Sequence, residues 1–335
     1  MSSAGSVTNC RANKNHFEWA VIRDPKQFEL QTLALASAFA YATAINTCLI
    51  YKLPRNFVRY MMHKSLILAS FLWLSATGPD PRQEASIVNY DYCDSENFTW
   101  QGGEEITYTL YYQLNFIWIP AGEATFKVKD MGDRYFISID GKTISAFEWF
   151  YEVNDRYESV IDKKTLLPLS FSRDIQEGKY VWWDKFTFDQ KNNKVHASKG
   201  WPDKPTKYYT ADLSGCMHDM ISIVYNVRNV DFNQFDPGEQ FGVKVFVEEE
   251  YPLQVEVRQK NVEQKIRGLG KMKTHLIRPQ VVSGHFFDDD TRMDIYMSAD
   301  GNRIPLMIES PVSVGKVKAV LTKYKGLRYP LVCGD

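Results

Sequence analysis

The chain has almost no net charge, since 40 Lys and Arg stand against 41 Asp and Glu, a balance of −1 over 335 residues. A surface that holds a phosphate backbone carries a basic excess or stripe, so nucleic acid is excluded as a partner. Cysteine is scarce: of five residues, only Cys93, Cys216 and Cys333 follow the signal-like segment described below. An odd count permits at most one internal bridge and leaves one thiol over. A Cys93–Cys333 bridge would join the first and last strands; three separate thiols is the plainer alternative. Catalytic signatures are missing too. There is no G-x-S-x-G, no P-loop, no H-E-x-x-H, and no G-x-G-x-x-G between strand and helix. These absences remove the reactions that a short local motif announces, and no cofactor is indicated.

What is present first is an address. Met61–Gly78 combines basic His63 and Lys64, an apolar Leu66–Leu74 core and small residues at Ala76-Thr77-Gly78. That is the anatomy of a secretory signal peptide, displaced from the chain start. A second apolar run, Thr32–Tyr51, is long enough to span a bilayer but is dominated by Ala, Ser and Thr and holds Asn46. Three readings stand: Met61 or Met62 is the true start, Thr32–Tyr51 is a weak membrane anchor, or the whole is a long leader. Residues 1–60 are therefore expected to lie outside the mature protein. Residues 61–78 form the signal peptide, 79–104 a leader, and 105–335 a single β-rich domain. No Cys follows the small residues, so a lipid-anchored terminus is not indicated.

Aromatic residues make up 14% of the chain and fall in alternating segments, which favours strands. Ile106, Tyr108, Leu110, Tyr112, Leu114 and Phe116 recur at period two. Pro120-Ala121-Gly122 is expected to break this strand, with Ala124, Phe126 and Val128 continuing in a partner. Further strands are expected near 135–139, 152–161, 169–175, 180–188, 241–247, 253–257, 271–276, 293–298, 303–309 and 315–324. Gln190–Asn193 and Asp300-Gly301-Asn302 are hairpin turns between them. Twelve to fourteen strands of this kind predict an all-β fold, a barrel or a barrel-like pair of curved antiparallel sheets. One segment departs from the pattern. Met217, Met220, Ile221 and Val224 recur at helical spacing, with Arg228 a turn further on, predicting one amphipathic helix over about 212–228. Asp212 or Ser214 would cap it, and it would pack on the concave face or mouth of the sheet.

Few residues could carry chemistry. His285-Phe-Phe-Asp288-Asp289-Asp290 could hold a hard cation but reads more simply as a solvated loop, so no metal site is assigned. Cys216, His218 and Asp219 stand within four residues. Helical spacing turns His218 away from the other two, and no catalytic residue is assigned. Arg228 could reach water, enter a buried pair with a carboxylate such as Asp219 or Glu248, or meet a ligand headgroup. Tyr111, Trp118, Trp149, Phe150, Tyr151, Trp182, Trp183 and Trp201 are many large rings for one core. A cavity lined by them would suit a lipid or other amphiphile.

With those residues read, the chain from Tyr108 to Tyr324 resembles the exported bacterial family called domain of unknown function 3108. The matching stretches are Tyr108–Tyr112 with Pro120–Phe126, the segment Asp219–Arg228, and Met297–Pro305 leading to Gly315–Leu321. Tyr296-Met297 stands where the family pattern leads one to expect Trp. The resemblance implies a β protein of the Gram-negative periplasm or cell envelope and supplies no activity. The leading expectation is non-catalytic binding or carriage of an apolar or amphiphilic ligand, with peripheral association with the outer membrane. Tyr112, Phe126, Trp183, Met220, Val224 and Arg228 are the expected ligand-lining residues. An envelope enzyme using Cys216, His218, Asp219 and His285, or an assembly partner of other envelope proteins, are the alternatives.

Overall fold

The computed structural model describes residues 87–88, 92–114, 117–148, 152–281, 293–311 and 316–333. The signal-peptide segment, the Thr32–Tyr51 run, Trp149–Tyr151 and the His285–Asp290 cluster lie outside the described residues. The period-two segments do form strands. After a two-residue β1 (Ile87–Val88) come β2 (Glu105–Leu114), β3 (Ile117–Asp130), β4 (Arg134–Thr143), β5 (Asn154–Asp162), β6 (Pro168–Glu177) and β7 (Tyr180–Asp189). A hairpin follows, β8 (Lys194–Trp201) and β9 (Lys204–Asp212). The second run is β10 (Gln240–Val247), β11 (Glu249–Ile266), β12 (Gly270–Val281), β13 (Asp294–Ser298), β14 (Pro305–Pro311) and β15 (Lys316–Lys325). Among the described residues, helix is confined to α1 (Ser145–Glu148) and α2 (Ser222–Val227), with a 3-10 turn at Phe232–Gln234.

All strands belong to one sheet, ordered β1-β10-β11-β12-β13-β14-β15-β2-β3-β4-β5-β6-β7-β8-β9. Each half of the chain is an antiparallel meander, and pairing of the last strand with β2 joins them into one sheet. The sheet is not closed by strand pairing, yet it is strongly rolled. Phe186 and Phe188 of β7 meet Phe246 of β10 at ring distances of 5.3 and 6.2 Å, although many strands separate them in the sheet. Across the gap, His218, beyond β9, forms a parallel bridge to β10. His218 N–H donates to Lys244 O and Phe246 N–H donates to His218 O, at 3.2 and 2.8 Å.

Three expectations change. Pro120-Ala121-Gly122 does not end a strand but sits within β3, where the register shifts between Leu110 and Tyr111. A bulge is a place where a strand tolerates Pro without losing a ladder bond. Gly122 is needed there, because a Cβ would lie 2.9 Å from Lys142 O. Second, the 212–228 helix shrinks to α2, and it is not amphipathic: every residue from Met217 to Arg228 is buried. A helix shielded all round is enclosed rather than laid on a face. Gly215 at φ +128 and the Cys216 bridge keep the preceding residues out of helical geometry. Third, the domain starts before Glu105. Thr99, Trp100 and Glu104 are buried, and Trp100 packs edge-on against Tyr135 and Tyr225 with centroids 4.5 and 5.0 Å away. Its indole N–H donates to Tyr225 O.

Cys93 is bonded to Cys216, with Cα atoms 5.8 Å apart and 123 residues between them in sequence. The bridge ties the segment ahead of β2 to the enclosed stretch. Closing a loop of this length removes denatured-state freedom equivalent to about 5 kcal/mol in the chain-entropy account. The double variant C93S/C216S is expected to lose several kcal/mol in urea unfolding, and adding reductant to the parent protein should reproduce the loss.

Candidate functional site

The enclosed stretch settles where the sequence-predicted residues go. The Asp219 carboxylate accepts from the backbone N–H groups of Ile221 and Ser222, both at 2.7 Å, and from the Ser159 hydroxyl of β5. It thereby satisfies free donors at the start of α2. Burial raises its pKa from 3.8 to about 6, against the pull of those hydrogen bonds. His218 is fully buried, with Nδ1 3.0 Å from Ser222 Oγ and Nε2 3.3 Å from Tyr92 O. Burial pushes its pKa from 6.5 down to about 4. Cys216 has spent its sulfur in the disulfide. Cys216, His218 and Asp219 thus hold the enclosed stretch in place, and His285 lies outside the described residues.

Arg228 neither reaches water nor pairs with Asp219 or Glu248. Its guanidinium forks onto Glu104 with contacts of 2.6 and 2.8 Å, and its Nε–H donates to Asn302 O. Both side chains are almost wholly shielded. Such a pair survives burial only with bidentate geometry and extra hydrogen bonds, and both are present. The sequence could not name the partner, because Glu104 lies 124 residues away in what reads as a leader. Val224 is buried in α2, and Met220 lies just ahead of it. Tyr112 is buried on β2 opposite Ile119 and Val317. Phe126 is half-buried, its ring 5.5 Å from that of Tyr108. Trp183 faces the other way: it alternates with inward Trp182 and Asp184 and lies across Gly200 on the convex side. Of the expected lining set, Trp183 therefore lies on the opposite face from the other five.

A different constellation gathers at one rim of the rolled sheet. Arg173 of β6 and Asp184 of β7 are direct cross-strand partners, joined by contacts of 2.9 and 2.7 Å and both buried. Burial raises the Asp184 pKa, with Arg173 opposing the shift; burial works against the charge on Arg173, but Asp184 holds its pKa above the ordinary value. The guanidinium carbon sits 4.4 Å from the centre of the Trp182 ring, and Nη1 lies 3.9 Å from Met220 Sδ. Glu248, at φ +72 between β10 and β11, spans outward from Arg173 Nη2 at 3.4 Å to Lys199 Nζ at 2.7 Å. Lys199 lies 5.8 Å from the ring of Tyr209, whose buried hydroxyl has no hydrogen-bond partner among the described residues. Burial lifts that hydroxyl's pKa to about 12. Tyr180 and Trp201 complete the wall; their rings lie 6.5 Å from Trp182 and 5.2 Å from Lys204 Nζ.

The arrangement is a floor of paired charge under an aromatic wall, half open to water. It has no nucleophile beside a base, and the described residues contain no group of three metal-ligating side chains. Sequence reading missed Arg173, Asp184, Glu248 and Tyr209, although a signal existed. Phe171-x-Arg173-x-Ile175 and Trp182-x-Asp184-x-Phe186 each place one charge on an otherwise apolar strand face.

With this geometry in hand, comparison with known proteins is brief. The family profile described as "Protein of unknown function (DUF3108)" matches residues 107–322. No curated protein matches the sequence. Among solved structures, the chain is similar to the beta-barrel-like protein of domain of unknown function DUF1849 from Brucella abortus. The two are 12% identical with a TM-score of 0.47, over 69% of this chain and 99% of that one.

Two expectations follow for the enclosed polar groups. Arg228→Met leaves the Glu104 carboxylate buried and unpaired and should cost about 3–5 kcal/mol, whereas E104L/R228M should recover most of the loss in urea unfolding. The pH dependence is paired in the same way. Asp219, at about 6 when folded, binds more protons in the native state, so its contribution falls as pH rises from about 4 to 6. His218, at about 4, binds fewer, so its contribution rises as pH increases from about 4 to 6.5. Removing one exposes the other. Urea midpoints of Asp219→Asn should climb more steeply between pH 4 and 6 than those of the parent.

Proposed function

The chain belongs to the DUF3108 family of proteins of unknown function, and from the rim site we propose that it binds an amphiphilic ligand in the bacterial cell envelope without altering it chemically. The observation that carries this reading is the aromatic wall of Tyr180, Trp182 and Trp201 above the buried Arg173–Asp184 pair. Rings of this kind take the apolar body of a ligand, and a small number of fixed polar groups orient its head. Lys199, Glu248 and the unpartnered Tyr209 hydroxyl supply both signs of charge and a spare hydrogen bond at the place where a head would sit. The ligand is assigned to the rim because the enclosed stretch, including Met220, Val224 and Arg228, occupies the middle of the sheet.

Export is supported by two features of different kinds. One is the signal-like Met61–Gly78 segment. The other is the Cys93–Cys216 bond, since disulfides persist in oxidising compartments such as the periplasm. A non-catalytic role is favoured over the enzyme alternative because Cys216, His218 and Asp219 are all engaged in structural bonds.

Native mass spectrometry of protein purified from the periplasm should retain a bound amphiphile. Titration with a lysophospholipid should quench tryptophan fluorescence saturably. Trp182→Ala should weaken that binding roughly tenfold by removing a buried ring contact. A consistently empty spectrum with no saturable quenching would sink the reading.

A further inference from the structure

We propose that the corner of the sheet formed by the β6–β7 and β8–β9 hairpin tips is a docking surface for an anionic lipid bilayer. The two tips are neighbours. Trp183 pairs with Gly200 and Trp201 pairs with Lys204, which puts Gly178–Tyr180 and Pro202–Lys204 at the same end of adjacent strands. Apolar side chains stand in water there: Tyr208 is 79% exposed, Tyr180 44% and Val181 38%. Strand alternation sends Trp182 to the concave face and Trp183 to the convex one, and with Trp201 the corner holds three of the chain's eight tryptophans. The rings therefore girdle the corner instead of filling one side of it.

The charge around these rings leans basic. Lys179, Lys185, Lys204 and Lys207 are exposed there against the exposed acids Asp203 between the tips, Asp174 opposite Trp183 and Glu152 beside Gly178, while Asp184 is buried against Arg173. Tryptophan and tyrosine favour the headgroup level of a bilayer, where an amphipathic ring meets both phases. Lysines beside them lay their methylene stems along the rings and carry their charge to lipid phosphate. Lys204 and Lys207 already lie over the Trp201 ring at 5.2 and 5.7 Å. A protein strand added to the outer edge of β9 is the competing occupant. That edge carries Pro205, which has no N–H to donate, flanked by Lys204 and Lys207, and these are the residues that discourage strand addition.

This inference shares the Tyr180, Trp182 and Trp201 rings with the ligand reading and is separated from it through Lys179 and Tyr208, which are not part of the proposed ligand contacts. The full exported protein is sedimented with vesicles of phosphatidylcholine, with and without phosphatidylglycerol. Binding is expected to the mixed vesicles and to be lost at high salt. Each lysine removed should weaken it about fivefold, so K179A/K204A should partition roughly twentyfold less. Tyr208→Ala should also weaken it, and all variants should keep the parent's urea midpoint. Lysophospholipid quenching in Lys179→Ala and in Tyr208→Ala is expected to match the parent, which separates failure of docking from failure of the ligand site. Equal partition into both kinds of vesicle, none into either, or no effect of K179A/K204A would overturn the proposal. So would light scattering that shows copies associating through β9 while vesicles stay unbound.

Discussion

The structure depends on enclosing a stretch of chain, Met217 to Arg228, inside a rolled sheet. Backbone and side-chain polar groups in that position have no water to turn to, and each one left without a partner costs free energy comparable to a lost hydrogen bond. The surrounding elements answer that demand. Gln190, beyond the end of β7, both accepts from and donates to the backbone of Met217. Asp219 meets the donors at one end of α2 and Arg228 closes the other end with Glu104. Anion at the start and cation at the finish is also the order that a helix dipole favours.

Filling the interior with the protein's own chain decides where chemistry can sit. A sheet of this length, rolled this tightly, could have left a lined cavity. Here the enclosed stretch takes the space, and the polar groups with room beside them are pushed to the rim. The two buried ion pairs differ in that respect. Glu104–Arg228 is sealed on all sides, while Arg173–Asp184 lies under Glu248 and Lys199, which reach solvent. The first is an anchor. The second has an outer layer that can exchange partners.

The strands were legible where large apolar side chains fill one buried face, because period two then has something to alternate against. β2, β7 and β10 are of that kind. β8 and β9 were not picked out as strands: β8 buries only Val195 and Ala197 in this way, and β9 is exposed on nearly every position, so its lysines and tyrosines show no contrast between faces. The helix was overextended because burial on all sides and burial on one stripe both produce apolar residues at helical spacing. Gly215 and the disulfide, which interrupt it, act through backbone geometry and a distant cysteine. Residues 92–104 read as a leader for a related reason. Trp100 and Glu104 earn their burial from Tyr225 and Arg228, more than a hundred residues away, and no local pattern records that.

The antiparallel register of β2 and β15 places Glu105 beside Lys325 at one end of the strand pair. Tension between the chain's two ends would therefore meet this pair in its weakest direction, opening its hydrogen bonds one after another like a zip. The Cys93–Cys216 bond diverts the load. A pull arriving from upstream reaches Cys93 first and is passed covalently to the enclosed stretch, which can leave only by dragging buried ion pairs through the sheet. A pull from the upstream end would then be borne first by the most deeply packed segment, ahead of the strand pair that parts most easily.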